Sequence, residues 1–250
     1  MTKTIALFNQ SGGVGKTTLT MNLGYHLGQR NNRVLLADID PQASLTTFMG
    51  IDPEELDKTI YESIVDEEPL QIIEGINGLD LVPANINLSA AELELVSSLM
   101  REVRLKNALD GIADNYDFIL IDCPPSLGIL TVLSLVAATH VLVPIQTQFK
   151  SFQGTDLLLN TVARLRKAAN RNLKIAGFIP TMFDGRTAQE TRTYKAIKEQ
   201  LSPLATVYEP IPRSVVFPDA SEKRIPLALY QPKHPAIKVI NKIVKKLEQL

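Results

Sequence analysis

The sequence has few residues of several types, and each shortage excludes a class of protein. A single cysteine, Cys123, in 250 residues excludes a disulfide framework and a cysteine-rich metal cluster within one chain. Basic and acidic residues nearly cancel, at a formal net charge of −1, so no overall positive field attracts nucleic acid. Any binding to DNA therefore requires a local basic patch or a dimer that combines two patches.

A run of apolar residues long enough to cross a membrane is also lacking. The longest apolar stretch, residues 129–145, is interrupted by Ser134, Thr139 and His140, whereas a spanning helix needs about 20 apolar residues. We interpret this stretch as a core helix followed by a buried strand. The first residues, MTKTIALFN, resemble a strand and not a signal peptide. We expect a soluble, cytoplasmic protein.

Seven apolar runs of strand length follow one another along the chain. They read TIALFN, RVLLADI, LDLVPA, FILIDC, HVLVPIQ, KIAGFIP and a weaker ATVYEPI. The runs are nearly continuous rather than alternating, as in strands that are covered on both faces. Helix-length segments lie between most of them, at residues 17–29, 89–115, 151–170, 187–201 and 235–250. We expect the second of these to begin with a capping box of Ser89 and Glu92.

Strands that alternate with helices predict an α/β fold with a doubly wound, mostly parallel sheet flanked by helices, because parallel strands need crossover connections. The sequence has no repeat, no low-complexity stretch and no linker long enough to divide the chain. We therefore expect a single domain over residues 1–250.

A glycine-rich loop, QSGGVGKTT at residues 10–18, lies between the first strand and the first helix. It fits the phosphate-loop pattern G-x-x-x-x-G-K-[ST] except at Gln10, which replaces the first glycine. Glycines let backbone N–H groups approach phosphate oxygens, and the helix N-terminus adds its positive end. We expect Lys16 to neutralise the β- and γ-phosphates of a nucleotide and the Thr17 hydroxyl to bind Mg²⁺. The residues expected to contact the phosphates are Gly12, Gly13, Val14, Gly15, Lys16, Thr17 and Thr18. A glycine turn without a ligand is the disfavoured alternative.

Acidic residues end two of the predicted strands, where ligands of open α/β sheets bind. Asp122 follows the apolar run FILI, and we expect it to hold Mg²⁺ through water, as a Walker-B aspartate does. Asp38 and Asp40 end the second strand before a Pro-Gln turn. We expect the Asp40 carboxylate to orient the attacking water, since phosphoryl transfer requires mainly positioning and charge stabilisation. The alternative, that Asp40 only caps the turn at Pro41, stays open.

These elements together resemble the ParA/MinD family of deviant-Walker ATPases. The matching segments are GGVGKTT at 12–18, DIDPQAS at 38–44, FILIDCPPSLG at 118–128, VLVPIQ at 141–146, GFIPTMFDGRT at 177–187 and IPRSV at 211–215. The DPQ turn is similar to the ParA partition branch, not to the MinD branch.

The resemblance implies a P-loop NTPase fold of the SIMIBI/ParA type and a slow, Mg²⁺-dependent ATPase. It implies a homodimer in the ATP state that sandwiches nucleotide at its interface and binds double-stranded DNA without sequence preference. A small partner protein would stimulate hydrolysis and release the dimer from the nucleoid. The resemblance also implies that Met182, Pro212 and Arg213 lie on the adenine side of the site.

The loop departs from the family at Ser11, where family members have a lysine that reaches the other subunit's phosphates. Serine is short and uncharged, and two facing triphosphates need cations between them. We expect Lys150, in the loop TQFKSFQG after the strand HVLVPIQ, to take this catalytic role, because that loop leaves the nucleotide edge of the sheet. The alternatives are an ordinary exposed lysine and a protein that forms no sandwich dimer.

Chains that lack the first lysine but retain SGGVGKTT resemble the McdA type, which positions carboxysomes with a partner called McdB. A plasmid or chromosome partition ATPase with a ParB-like partner is the alternative within the same mechanism. A metabolic ATP-dependent ligase on this fold is disfavoured, since no residues for a second substrate are recognisable.

Two segments are candidates for a DNA surface. The C-terminal AIKVINKIVKKLEQL places apolar residues at helical spacing, with lysines on the remaining faces: Ile237, Ile240, Ile243, Val244 and Leu247 against Lys238, Lys242, Lys245 and Lys246. A packed helix with solvated lysines, a surface for the DNA backbone and a MinD-like membrane helix are all open, although no Trp or Phe anchors the last. RTAQETRTYKAIKEQ supplies a second basic set, Arg186, Arg192, Lys195 and Lys198.

Overall fold

The protein is described by a computed structural model that covers residues 1–148 and 154–250. Its strands are β1 (Lys3–Leu7), β2 (Val34–Asp38), β3 (Ile73–Ile76), β4 (Leu79–Val82), β5 (Phe118–Asp122), β6 (His140–Gln146) and β7 (Lys174–Thr181). They form one sheet in the order β3–β4–β2–β5–β1–β6–β7. All neighbouring pairs are parallel except β3 and β4, which are antiparallel. The predicted mostly parallel sheet is confirmed.

Helices cover both faces of this sheet. They are α1 (Lys16–Gly28), α2 (Ser44–Phe48), α3 (Ile60–Val65), α4 (Leu88–Glu94), α5 (Arg104–Asp110), α6 (Ile129–Ala137), α7 (Thr155–Ala168), α8 (Ala188–Leu201), α9 (Val216–Glu222), α10 (Leu227–Tyr230) and α11 (Pro235–Leu247). Helices α3 to α8 contribute to the core on one face, and α1, α2 and α9 to α11 contribute to the core on the other. The fold is therefore doubly wound, as predicted.

The alternation of side chains along each central strand supplies both cores. In β1, Ala6 belongs to the core under α3 to α8, whereas Ile5 and Leu7 belong to the core under α1 and α11, and all three are fully buried. Successive side chains of a strand point to opposite faces, so a strand covered on both faces has to be apolar at every position. This requirement explains the continuous apolar runs of the sequence.

One predicted strand is wrong and one real strand was missed. The segment ATVYEPI, residues 205–211, makes only a single bridge between Val207 and Phe178. The seventh strand is instead β3, an edge strand with two exposed residues out of four. An edge strand that is half exposed needs few apolar residues, so IEGI does not stand out from its surroundings.

The long helix predicted at residues 89–115 is also wrong, because the chain breaks there into short pieces. Helix α4 ends at Glu94, and 3-10 turns at Leu95–Ser97 and Arg101–Val103 separate it from α5. Met100, between the two turns, has a left-handed φ of 53°, which no helix accommodates. The predicted capping box of Ser89 does not form, since α4 begins after Asn87 without a side-chain cap.

The other predicted helices are confirmed. The segments at 17–29, 187–201 and 235–250 correspond to α1, α8 and α11 within a few residues. The helix predicted at 151–170 is observed as α7 from Thr155; its predicted start and the candidate Lys150 lie outside the described residues. Each helix in the described part of the chain is too short or too polar to span a lipid bilayer.

Candidate nucleotide-binding site

The sheet brings the glycine loop and the acidic strand ends to one edge. β5 lies between β1 and β2, and its last residue, Asp122, is in register with Leu7 on one side and Asp38 on the other. The loop of residues 8–15 leaves β1 at this point and leads into α1. The carboxyl edge of a parallel sheet is where ligands bind in open α/β folds, and the predicted elements meet there.

The loop has the backbone geometry of an anion-binding turn. Gly13 and Gly15 have φ angles of 70° and 91°, in the left-handed region that favours glycine. Gly15 is the N-cap of α1 and provides no side-chain hydrogen bond, so the first N–H groups of this 13-residue helix are left to other acceptors. These N–H groups and the positive end of the helix dipole both attract an anion.

Lys16 places its charge inside the curve of this loop. Its Nζ donates to the carbonyl oxygens of Asn9 at 3.0 Å and Ser11 at 3.2 Å, and the residue is only 7% exposed. Burial lowers the pKa of Lys16, whereas the nearby carboxylates of Asp122 and Asp40 raise it. The ammonium group is held by two backbone carbonyls, which an incoming anion can replace as partners.

Asp122 is fully buried and only half satisfied. Its Oδ1 accepts a hydrogen bond from Thr20 Oγ1 at 3.3 Å, but its Oδ2 has no partner among the described residues. Burial raises the pKa of Asp122, and the adjacent Asp38 carboxylate raises it further. The Thr17 hydroxyl, which lies close to the carboxylate without reaching hydrogen-bond geometry, opposes this rise. An unpartnered buried carboxylate oxygen is costly in free energy unless a ligand or water completes it.

The donors at this point suit a magnesium ion. Thr17 and Asp122, the predicted metal ligands, lie side by side. Mg²⁺ prefers oxygen ligands and takes one or two from protein together with water and phosphate oxygens. The described residues contain no cluster of three or more His, Cys, Asp or Glu side chains that could hold a metal without such help. The residues present therefore fit a metal that arrives with a phosphate ligand.

The two acidic residues of the DIDPQ turn differ in their bonding. Asp38 is fully buried; its Oδ1 accepts from Asp40 N at 3.2 Å, and its Oδ2 accepts from both N and Oγ1 of Thr46 at 2.8 Å. Asp40 is half-buried and its Oδ1 accepts from Gln42 N at 3.0 Å. The turn-capping geometry considered for Asp40 is thus present, and it uses only one of the two carboxylate oxygens.

A cleft of about 810 Å³ extends from the loop between α1 and the segments after β7. It joins five of the predicted nucleotide-binding residues, namely Gly15, Thr18, Met182, Pro212 and Arg213. Its walls are mainly apolar, and its volume is in the range of small-molecule sites. Phe48 of α2 and Phe217 of α9 also line it; they belong to none of the sequence motifs, so sequence reasoning did not find them.

The apolar face of α11 is occupied by the body of the protein. Ile240, Ile243, Val244 and Leu247 are fully buried in the core that α1 shares. A membrane-binding helix needs such a face to be available. The structure therefore favours the interpretation of α11 as a packed helix with exposed lysines.

Comparison with known proteins identifies the family. The family described as AAA domain matches residues 2–175. The sporulation initiation inhibitor protein Soj of Bacillus subtilis is 41% identical over 251 residues, which is 99% of this chain and 98% of Soj. The chromosome partitioning protein ParA of Caulobacter vibrioides is 38% identical over 234 residues, 91% of this chain and 87% of that protein. The chain belongs to the ParA/MinD family of P-loop ATPases.

Solved structures agree with this assignment. Cobyrinic acid a,c-diamide synthase from Mycobacterium smegmatis with bound ADP and magnesium superposes with a TM-score of 0.86 at 32% identity, over 98% of this chain and 93% of that one. A McdA–ATP complex from Cyanothece superposes with a TM-score of 0.88 at 28% identity, over 100% and 97% of the two chains. The lower identity to McdA gives the predicted McdA branch weaker support than the partition branch receives from Soj and ParA.

Proposed function

We propose that this protein is an ATP-dependent switch of the ParA type, formed by residues 1–250 as one domain. It binds ATP and Mg²⁺, dimerises in the ATP state, hydrolyses ATP slowly and uses this cycle to position a cargo on the nucleoid in the cytoplasm. The observation that carries the proposal is the unpartnered Oδ2 of the buried Asp122 beside a preorganised phosphate loop. ATP complexed with Mg²⁺ supplies a partner for the Asp122 oxygen through the metal and an anion for the phosphate loop.

The roles of the site residues follow from their positions. The backbone N–H groups of residues 12–18 and the Lys16 ammonium bind the phosphates, and Thr17 and Asp122 hold the metal. When bound, Mg²⁺ neutralises phosphate charge that would otherwise repel an attacking water. Asp40 Oδ2, which accepts no hydrogen bond in the turn, orients this water. Met182, Pro212 and Arg213 form the base side of the cleft.

An exposed apolar row supports a second copy of this chain as the dimer partner. The row consists of Ile86, Leu93, Val96, Leu99 and Met100, whose exposed fractions lie between 63% and 88%. It begins at Ile86, just before α4, and continues through α4 and the turns after it; α4 follows the carboxyl end of β4, at the same edge as Asp122. Large exposed apolar side chains concentrated in one segment favour an interaction site there. A partner that faces the nucleotide edge covers this row as well.

The surface that best fits DNA lies on α7 and α8. Residues 155–200 contain nine Lys or Arg and four Asp or Glu in a chain that is otherwise acidic. Both helices pack on the same face of the sheet. Within residues 155–200, exposed basic side chains without an ion pair to a described residue are Arg164, Arg166 and Lys167 on α7, Arg192 and Lys198 on α8, and Arg171 and Lys174 in the segment between them. Backbone binding without sequence preference requires several such contacts.

The lysines of α11 are a separate candidate, because α11 packs on the opposite face of the sheet. Lys242 already pairs with Glu209 at 2.6 Å. We favour the surface of α7 and α8 for this reason, and a dimer doubles it.

The cargo and the activating partner divide the proposal into two versions. The similarity to Soj and ParA favours chromosome or plasmid partition with a ParB-like activator. Ser11, in place of the lysine, favours McdA-like positioning of carboxysomes with an McdB-like activator. Co-purification of the tagged protein with either class of activator distinguishes them.

Gel filtration with light scattering tests the switch itself. We expect a monomer without nucleotide or with ADP, a dimer with ATP and Mg²⁺, and a monomer in all conditions for Lys16→Ala. A wild-type protein that neither binds ATP nor changes its mass with ATP refutes the proposal. Co-sedimentation with random duplex DNA and with anionic liposomes then tests the surface; ATP-dependent binding to liposomes alone contradicts the DNA version.

A further inference from the structure

Glu190 is a buried carboxylate that no motif of the family explains. It lies in the first turn of α8 and is only 6% exposed. Burying a carboxylate costs free energy unless hydrogen bonds or an opposite charge compensate. The position of Glu190 therefore requires partners, and these partners reach into the nucleotide cleft.

The first partner is Arg213. Its Nη2 donates to Glu190 Oε1 at 2.8 Å, while the Arg213 side chain as a whole remains about half exposed at 49%. Arg213 lines the apolar part of the cleft together with Met182 and Pro212. A flexible arginine side chain at a cleft wall is thus tied to a single orientation by a buried anion, through a charge-assisted hydrogen bond.

The second oxygen of Glu190 reaches the chain next to Met182, on the same wall as Arg213, since Arg213 N donates to Phe183 O at 3.0 Å. Oε2 accepts from Asp184 N at 2.5 Å and from Thr147 Oγ1 at 3.3 Å. The same Thr147 hydroxyl lies 3.2 Å from Thr181 O and 3.3 Å from Met182 O. Met182 has a left-handed φ of 53°, a strained conformation that persists only when its surroundings hold it.

We propose that Glu190 is a positioning residue for the nucleoside part of the ligand. It holds Arg213 and the adjoining backbone around Met182 on one wall of the cleft, and so sets the affinity for ATP and ADP. The phosphate loop is formed by other residues, so its affinity for phosphate does not depend on Glu190. This inference rests on the proposed binding of ATP in the cleft.

The test separates the nucleoside part of the ligand from its phosphates. Titration calorimetry measures the dissociation constants of ATP, ADP and inorganic tripolyphosphate, each with Mg²⁺, for the wild type, Glu190→Gln and Glu190→Ala. We expect ATP and ADP to bind roughly tenfold more weakly in both variants, about the effect of losing one charge-assisted hydrogen bond. We expect the dissociation constant for tripolyphosphate in both variants to stay within about twofold of the wild-type value. The KM for ATP should rise with little change in kcat.

Two controls belong to this experiment. Glu199→Gln changes an exposed glutamate on the same helix, which pairs with Lys195 at 3.8 Å and lies outside the cleft, and it should bind ATP as the wild type does. Arg213→Ala alone should weaken the binding of ATP as much as Glu190→Ala does. The double variant should bind ATP no more weakly than either single variant, because each substitution removes the same interaction.

Each result has one meaning. Unchanged ATP affinity in Glu190→Gln and Glu190→Ala, or an equal loss of affinity for tripolyphosphate, overturns the positioning role. Additive losses in the double variant overturn it too, since Arg213 and Glu190 then act independently. If the wild type binds ATP no better than Lys16→Ala does, the proposed function fails, and the inference fails with it.

Discussion

Replacing Asp122 by asparagine should make the nucleotide-free protein more stable while removing its response to Mg²⁺ and ATP. The side chain is fully buried and its Oδ2 has no partner among the described residues. An unsatisfied buried polar group costs about 1–3 kcal/mol, and more when it is charged. Asparagine has nearly the same shape, and although its NH2 group also lacks a partner it carries no charge, so removing the buried charge should raise the free energy of unfolding by about 1–3 kcal/mol at pH 8.

The pH dependence of this gain follows from the pKa of Asp122. Burial raises this pKa in the folded protein above its unfolded value, so folding favours the protonated form. The wild type therefore loses stability as the pH rises from the unfolded pKa, about 3.9, towards the folded one. Asparagine does not titrate. The advantage of Asp122→Asn should consequently be small at pH 5 and larger at pH 8.

Urea denaturation with EDTA, monitored by circular dichroism at pH 5 to 8, measures this difference. A gain of 1 kcal/mol corresponds to about 2–4 °C in Tm for a chain of this size. Saturating ATP and Mg²⁺ should stabilise the wild type, by about 2.7 kcal/mol at one hundred times Kd, and should stabilise the variant much less.

Asp38→Asn is the matched control, because Asp38 is the neighbouring strand-end carboxylate and is equally buried. Its oxygens accept from Asp40 N and from N and Oγ1 of Thr46. In asparagine, one of these oxygens becomes an NH2 group, which cannot accept a hydrogen bond from the N–H or O–H donors around it. This variant should therefore lose stability. If Asp122→Asn is also less stable than the wild type at every pH, Asp122 Oδ2 has a partner within the protein and the reasoning is wrong.

Three further outcomes test other parts of the structure. Lys150→Ala should abolish ATP-dependent dimerisation in light scattering while monomer binding of ATP stays largely intact; unchanged dimerisation rejects Lys150 as the substitute for the missing lysine. In binding assays with random duplex DNA, the logarithm of the binding constant falls linearly with the logarithm of the salt concentration. Arg166→Ala should make this slope shallower by about one, whereas Lys246→Ala on the opposite face should leave it unchanged. Thr59→Ala removes the capping box that Thr59 and Glu62 form at the start of α3, and it should cost about 1 kcal/mol in urea denaturation without affecting ATP binding.

The parts of the site that the sequence predicts are those formed by neighbouring residues. The glycine loop is encoded within a few positions, since Gly13 and Gly15 need left-handed φ and Lys16 follows directly. Asp122 was recognisable because the strand before it is apolar at every position. Both signals are local, and the parallel sheet then brings them together without further information.

The parts that were missed depend on contacts between distant segments. Glu190 is significant only because Arg213, 23 positions away, meets its carboxylate. Phe48 and Phe217 line the same cleft from helices that are far apart in the sequence. The break of the helix predicted at 89–115 has a different cause: nothing in the local pattern distinguishes the exposed apolar row from a buried helix face.

The structure also bears on why the phosphate loop tolerates serine in place of lysine at position 11. Ser11 contributes to the loop through its backbone, because its N–H donates to Asn9 Oδ1 at 2.9 Å and its carbonyl oxygen accepts from Lys16 Nζ at 3.2 Å. Any residue except proline supplies the same two groups at this position. The change from lysine therefore leaves the loop of one protomer intact. In the dimer proposed above, we expect its effect to fall on the pairing of two protomers and not on the binding of nucleotide by one.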